Sequence, residues 1–99
     1  NVAGGLRITE PAADLAAASA LLSSISGVAP SADRVTFGEI SLSGAVRPAG
    51  HLLTRLKEAQ KLGFKHAVIP AAGELDAGQV KLKLSRIDHV KGLAGALGL

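Results

Sequence analysis

Leu52, Leu53, Leu56 and Ala59 recur at helical spacing, Gly63 halts the pattern, and the apolar run His66–Pro70 begins three residues later. No other feature of the chain constrains its fold as much. It predicts an amphipathic helix from Leu52 to about Leu62, its inner face packed near a short buried strand. Thr54, Arg55, Lys57, Glu58 and Lys61 fall on the outer face of that helix.

The remaining segments arrange themselves around this pair. Val2–Ile8 reads as a strand interrupted at Gly4-Gly5, where a bulge or a close backbone approach is expected. Thr9 is placed to cap a first helix, along which Leu15, Ala18, Leu22 and Ile25 form one stripe, with Ser26-Gly27 at its end. Arg34–Ile40 and Leu42–Arg47 read as two strands with a turn-like connection at Ser41, Ser43 and Gly44. Val80, Leu82 and Leu84 alternate with Lys81, Lys83 and Ser85, the period of a half-exposed strand. Asp88 is placed as the N-cap of a short last helix, Val90–Leu97, weakened by Gly92 and Gly95. The order β-α-β-β-α-β-β-α predicts an α+β fold with helices packed on a mixed sheet, and residues 1–99 suit one domain.

The core must be assembled from small and aliphatic side chains. Ala and Leu supply 33 of the 47 apolar residues, and Phe37 and Phe64 are the only aromatics. Both are expected to be buried, which leaves no aromatic to stack on nucleic-acid bases. With no cysteine, the chain can hold neither a disulfide nor a Cys-based zinc site. His51, His66 and His89 lack metal-ligand spacing, so no metal is expected. No apolar run reaches the roughly 18–20 residues of a membrane span. The chain has no Met and opens in what reads as mid-strand, so it is expected to be a piece of a longer protein. The net charge of +3 is compatible with nucleic acid without being diagnostic of it.

Three strings in order and spacing carry a family resemblance: NVAGGLRITEPAADLA at Asn1–Ala16, FGEISLSGAVRP at Phe37–Pro48, and RLKEAQKLGFKHAVIP at Arg55–Pro70. Together they resemble the C-terminal Lon-protease-like domain of the RadA/Sms DNA-repair family. The middle string is also similar to the Lon-like domain of magnesium-chelatase-like competence proteins. The Thr9–Ala13 string and the Arg55–Gly63 helix favour the first family. That resemblance implies a two-layer fold of the Lon proteolytic-domain type, also described as ribosomal protein S5 domain 2-like. It implies a cytoplasmic protein whose upstream segments carry a zinc finger and an ATP- and magnesium-binding, DNA-dependent ATPase core. It implies a hexameric ring driving branch migration on DNA, with RecA recombinase a candidate partner. No G-x-x-x-x-G-K-[ST] occurs here, so neither ATP nor any other cofactor is expected on this chain.

Lon-type peptidases need a Ser nucleophile and a Lys base of lowered pKa within hydrogen-bond reach. By the resemblance, Ala12 stands at the serine position and Leu53 at the lysine position, so both halves of the dyad are missing. A relocated dyad would have to draw on Lys57 with Ser41 or Ser43. No peptidase activity is expected. Asp88-His89 suits a helix cap better than a triad, and His66 is expected at a strand edge.

Two basic groups are the candidate DNA contacts: Arg55, Lys57, Lys61 and Lys65 on and after the second helix, and Lys81 with Lys83 on the last strand. Alternation places the latter two on one face about 7 Å apart. Arg47 could join either group. The competing explanation is structural: a solvated helix face with Glu58 intermixed, and lysines guarding a sheet edge. A different class of function is a pure oligomerisation scaffold. It is motivated by Ala12, Ala13, Ala16, Ala17 and Ala20, which leave several faces of the first helix small and apolar.

Overall fold

The computed structural model describes residues 14–29 and 31–99. The expected first strand, Val2–Ile8, the Thr9 cap and Ala12 lie outside the described residues. Three parallel strands form the centre: β1 (Arg34–Thr36), β4 (His66–Pro70) and β5 (Lys83–Ile87), with β4 in the middle. Register runs Arg34↔His66↔Lys83 at the end where the strands begin. A separate antiparallel pair joins β2 (Glu39–Ile40) to β3 (Val46–Arg47). Helices α1 (Asp14–Ser26), α2 (Leu52–Lys61) and the short α3 (Leu93–Ala96) complete the set.

After His66, strand β4 is apolar and buried because both its faces are covered. Ala67 and Ile69 face a cluster with Leu56 and Ala59 of α2 and with Val80 and Leu82. Val68 faces the other way, onto Leu15 of α1, Val46 and Leu93 of α3. The α+β composition therefore holds, and its layering differs from expectation. Among the described residues the larger sheet is wholly parallel, the antiparallel pair stands apart from it, and helices pack on both sheet faces.

Several boundaries move for identifiable reasons. Arg34–Ile40 is not one strand: after Phe37, whose N–H donates to the Val68 carbonyl, Gly38 carries the chain out of the sheet. A Cβ on Gly38 would meet Leu15 and Val46 at 3.2 Å, so the exit is packed tightly against α1. Of the second expected strand, Val46–Arg47 pairs with β2, and Ala45 forms an isolated antiparallel bridge with His89. The last strand starts at Lys83 rather than Val80; Val80 and Leu82 are buried beside α2, outside any ladder. Ile25 leaves the inner stripe of α1 and is 73% exposed, whereas Leu15 is fully buried. Both phenylalanines are half-buried at the rim of the α2 cluster. The last helical turns are capped by His89, whose Nδ1 accepts from the Lys91 N–H, and not by Asp88.

Candidate nucleic-acid interface

Pairing of β4 with β5 gathers cationic side chains at one end of the fold. The Lys83 N–H donates to the Lys65 carbonyl at 3.0 Å, which sets those two residues side by side. The Lys81 N–H donates to Gln60 Oε1 at 2.9 Å and ties the approach to β5 onto the last turn of α2. Lys61 follows Gln60 directly. Lys61, Lys65, Lys81 and Lys83, which the sequence separated into two groups, therefore share the end where the parallel strands begin and α2 finishes. All four are exposed. The carbonyl end of α2 is the favoured pole for positive charge. Glu58 tempers the patch by pairing with Lys61 at 3.7 Å, one helical turn back.

The other candidates lie elsewhere. Lys57 is exposed a turn earlier on α2. Arg55 bends back so that its Nε donates to the Gly50 carbonyl at 3.1 Å. Arg47 stands opposite Glu39 in the hairpin. Its neighbour Val46 donates to the Asp88 carbonyl just beyond β5, placing Arg47 near the far end of that strand from Lys83.

A polar row that sequence reading missed crosses the sheet beside Lys83. Arg34 Nε donates to His66 Nδ1 at 3.2 Å, and its Nη1 donates to the Leu97 carbonyl at 2.6 Å. His66 Nε2 then donates to Ser85 Oγ at 2.7 Å. His66 opens the central strand and is half-buried, so the strand-edge expectation is corrected. The signal was cryptic because the row depends on parallel register: Arg34 and Ser85 lie 32 and 19 residues away from His66.

Burial lowers the His66 pKa first, and the charges of Arg34 and then Lys83 lower it further against a small opposing pull from Asp33. The geometry agrees, since a proton on Nδ1 would face the Arg34 N–H. A histidine depressed in this way is disfavoured as a cation only in the folded chain. Its contribution is intact above the unfolded value near 6.5 and is lost as pH falls from there through the lowered folded value. His66→Gln, compared by urea midpoint at pH 7.5 and 5.5, is expected to flatten that acid-side loss. An unchanged pH dependence would remove His66 from its cause.

At the opposite end, Leu53 is half-buried against the α2 cluster and lines a recess of about 350 Å³ with Pro48, His51, Pro70, Leu75 and Arg86. The lysine position of the resemblance is thus filled by a packed leucine. Ser41 and Ser43 hydrogen-bond each other at 2.9 Å. Neither hydroxyl bonds to Lys57 among the described residues. Nor do the described residues contain a group of three or more His, Cys, Asp or Glu side chains able to hold a metal ion. No described helix is long and apolar enough to cross a membrane.

Comparison with known proteins places the chain in a family. Residues 1–73 match the model of the family described as subunit ChlI of Mg-chelatase. Proteins named DNA repair protein RadA are similar over most of the chain. That of Brucella abortus is 63% identical over 76 residues, 76% of this chain and 16% of the relative. That of Synechocystis is 50% identical over 90 residues, 91% of the chain and 18% of the relative. In Pseudomonas aeruginosa the figures are 42% over 92 residues, 90% and 20%. The chain spans about a fifth or less of the length of these relatives. The chain belongs to the family of that ChlI description and to the DNA repair protein RadA family.

Proposed function

We propose that this chain is the non-proteolytic, Lon-protease-like C-terminal domain of a RadA-type repair ATPase, and that it serves hexameric ring assembly and contact with the DNA backbone during branch migration. The observation that carries the DNA contact is the convergence of Lys61, Lys65, Lys81 and Lys83 at one end of the fold. Exposed cations without an aromatic platform suit sequence-independent binding of phosphates. ATP, magnesium and zinc chemistry falls to other segments of such a protein, as does any engagement of a RecA-type recombinase. Leu53 and Ala12 leave no peptidase dyad.

Assembly draws support from a different surface. Leu21 is 62% and Ile25 73% exposed on α1, beside exposed Ala16, Ala17 and Ala20, and the helix's single charge is Asp14 at its first residue. One experiment separates the two roles in the full-length protein. Lys65→Glu/Lys81→Glu/Lys83→Glu is expected to weaken duplex binding at least about tenfold near physiological salt. It should also lower the slope of log K against log salt by about 2–3, nearly one unit per phosphate contact. Light scattering should show its particle size unchanged, whereas Leu21→Glu should reduce the size and leave duplex contacts available. Unchanged affinity and slope in the triple variant would leave the scaffold role alone.

A further inference from the structure

The three parallel strands open on three basic side chains in one row. Arg34, His66 and Lys83 are paired in register across β1, β4 and β5. Paired residues of neighbouring strands project to the same face, and the strands lie about 4.8 Å apart, so the row spans roughly 10 Å. This is the face onto which Val68 points, covered further along by α1 and α3. At the row itself the cover thins: Lys83 is exposed, and Arg34 and His66 are half-buried.

The row has donors in excess and lacks an anion. Arg34 commits Nε to His66 Nδ1 and Nη1 to the Leu97 carbonyl, two of the five N–H groups that a guanidinium carries by a fixed count. Among the described residues no carboxylate forms an ion pair with Arg34 or Lys83. Asp33, ahead of β1, is exposed and accepts from the Ser31 hydroxyl. Lys65 precedes His66 in the chain, and β5 contributes Lys83 and the Ser85 hydroxyl. Of the covering helices, α1 carries only Asp14, bonded to the Ile40 N–H beyond the other end of β1, and α3 carries no charge. Lys91, in the turn ahead of α3, follows Val90, which is bonded to the hairpin. His66 therefore sits neutral between two cations, its Nδ1 lone pair occupied by the Arg34 N–H.

An anion over the row changes that balance. A proton on Nδ1 then has an acceptor, and so does the Arg34 Nε–H that it displaces. A phosphate group offers an oxygen to each and another to Lys83, with charge to offset the added proton. We propose that Arg34, His66 and Lys83 form a phosphate site, completed when His66 takes up a proton as the backbone of DNA binds. The inference rests on the DNA-contact reading above and shares Lys83 with it. It adds two residues to the contact surface and links affinity to pH. Burial and the two cations hold the free His66 below its ordinary pKa, so the proton enters with the phosphate and binding tightens as pH falls.

The test titrates the full-length protein with duplex by calorimetry, in two buffers of different ionisation heat. From about pH 7.5 to about pH 6, wild-type binding is expected to tighten about fivefold more than that of His66→Gln, with matching extra proton uptake. At the higher pH the two should agree within about twofold, since little proton is taken up there. Urea midpoints show that the variant is folded, and His66→Asn should reproduce it. A wild type that takes up no proton overturns the site without any variant. So does a His66→Gln protein with wild-type pH dependence and uptake. The DNA-contact reading fails separately, by an indifferent lysine triple variant. Inorganic phosphate is the remaining arm. Proton uptake on adding it that needs His66, and that duplex does not elicit, would assign the row to a free phosphate and overturn its role on DNA.

Discussion

Leu56→Ala is expected to cost about 3 kcal/mol of folding stability, the largest effect of any single truncation considered for this chain. Leu56 is fully buried on α2 and packs in the cluster formed by Ala67, Ile69, Val80 and Leu82. The site has little capacity to collapse around the vacancy. Ala59 is already small, and Ala67 and Ile69 belong to the central strand, hydrogen-bonded on both sides. The cost should therefore include a residual cavity as well as lost burial. Val80 and Leu82 reach the core through the same cluster, so the connection into β5 is expected to loosen too. The chain has no Trp or Tyr, so urea unfolding is followed by far-ultraviolet circular dichroism. A drop below about 1 kcal/mol would mean that α2 is not seated on the sheet as described. Leu62→Ala, six residues along the chain but exposed, should stay within about 0.5 kcal/mol.

Gly44→Ala is the second large effect, about 2–3 kcal/mol, and it has two causes. Gly44 has φ 88°, where a Cβ is strained whatever the surroundings. The added methyl would also lie 2.7 Å from His89 Cε1 and 2.8 Å from Nε2. That ring cannot simply swing away. Its Nε2 donates to the Ser43 carbonyl at 2.9 Å and its Nδ1 accepts from the Lys91 N–H at 3.1 Å, so moving it breaks the cap of the last helical turns. The Gly44 backbone is itself held, donating to the Ser41 carbonyl and accepting from the Val90 N–H. Gly27→Ala provides the comparison: φ is 73°, nothing lies within 4 Å, and about 1 kcal/mol is expected from the backbone alone. Equal urea midpoints for the two variants would show that the His89 contact contributes nothing.

His89 also illustrates where sequence reading stopped short. Asp88 is a good N-cap by residue type, and a histidine is a poor guess for that role. The position was settled by the bridge between Ala45 and His89 and by the Val46 bond to the Asp88 carbonyl, which turn the Asp88 backbone toward the hairpin. Lys83 is a comparable case. Its exposure was legible from the alternation Val80–Leu84, yet the same alternation placed the start of the strand three residues early. Burial of Val80 and Leu82 beside α2 produces the pattern of a half-exposed strand without a hydrogen-bonded ladder.

What the sequence determined by itself is local and one-dimensional. The helical stripe Leu52–Ala59, the apolar run Ala67–Pro70 of β4, and the glycines that close α1 and α2 with positive φ at Gly27 and Gly63 each follow from neighbours a few residues away. So did the family, through three strings read in order. Tertiary structure decided everything that depends on which strand lies beside which. Parallel pairing of β4 with β1 and β5 joined Lys65 to Lys83 and built the Arg34–His66–Ser85 row. It also left Arg47 at the other end. Side-chain period records which face of an element meets apolar surroundings, and it carries no record of the partner's identity or register. Those are set by the packing of α2 against one face of the sheet and of α1 and α3 against the other.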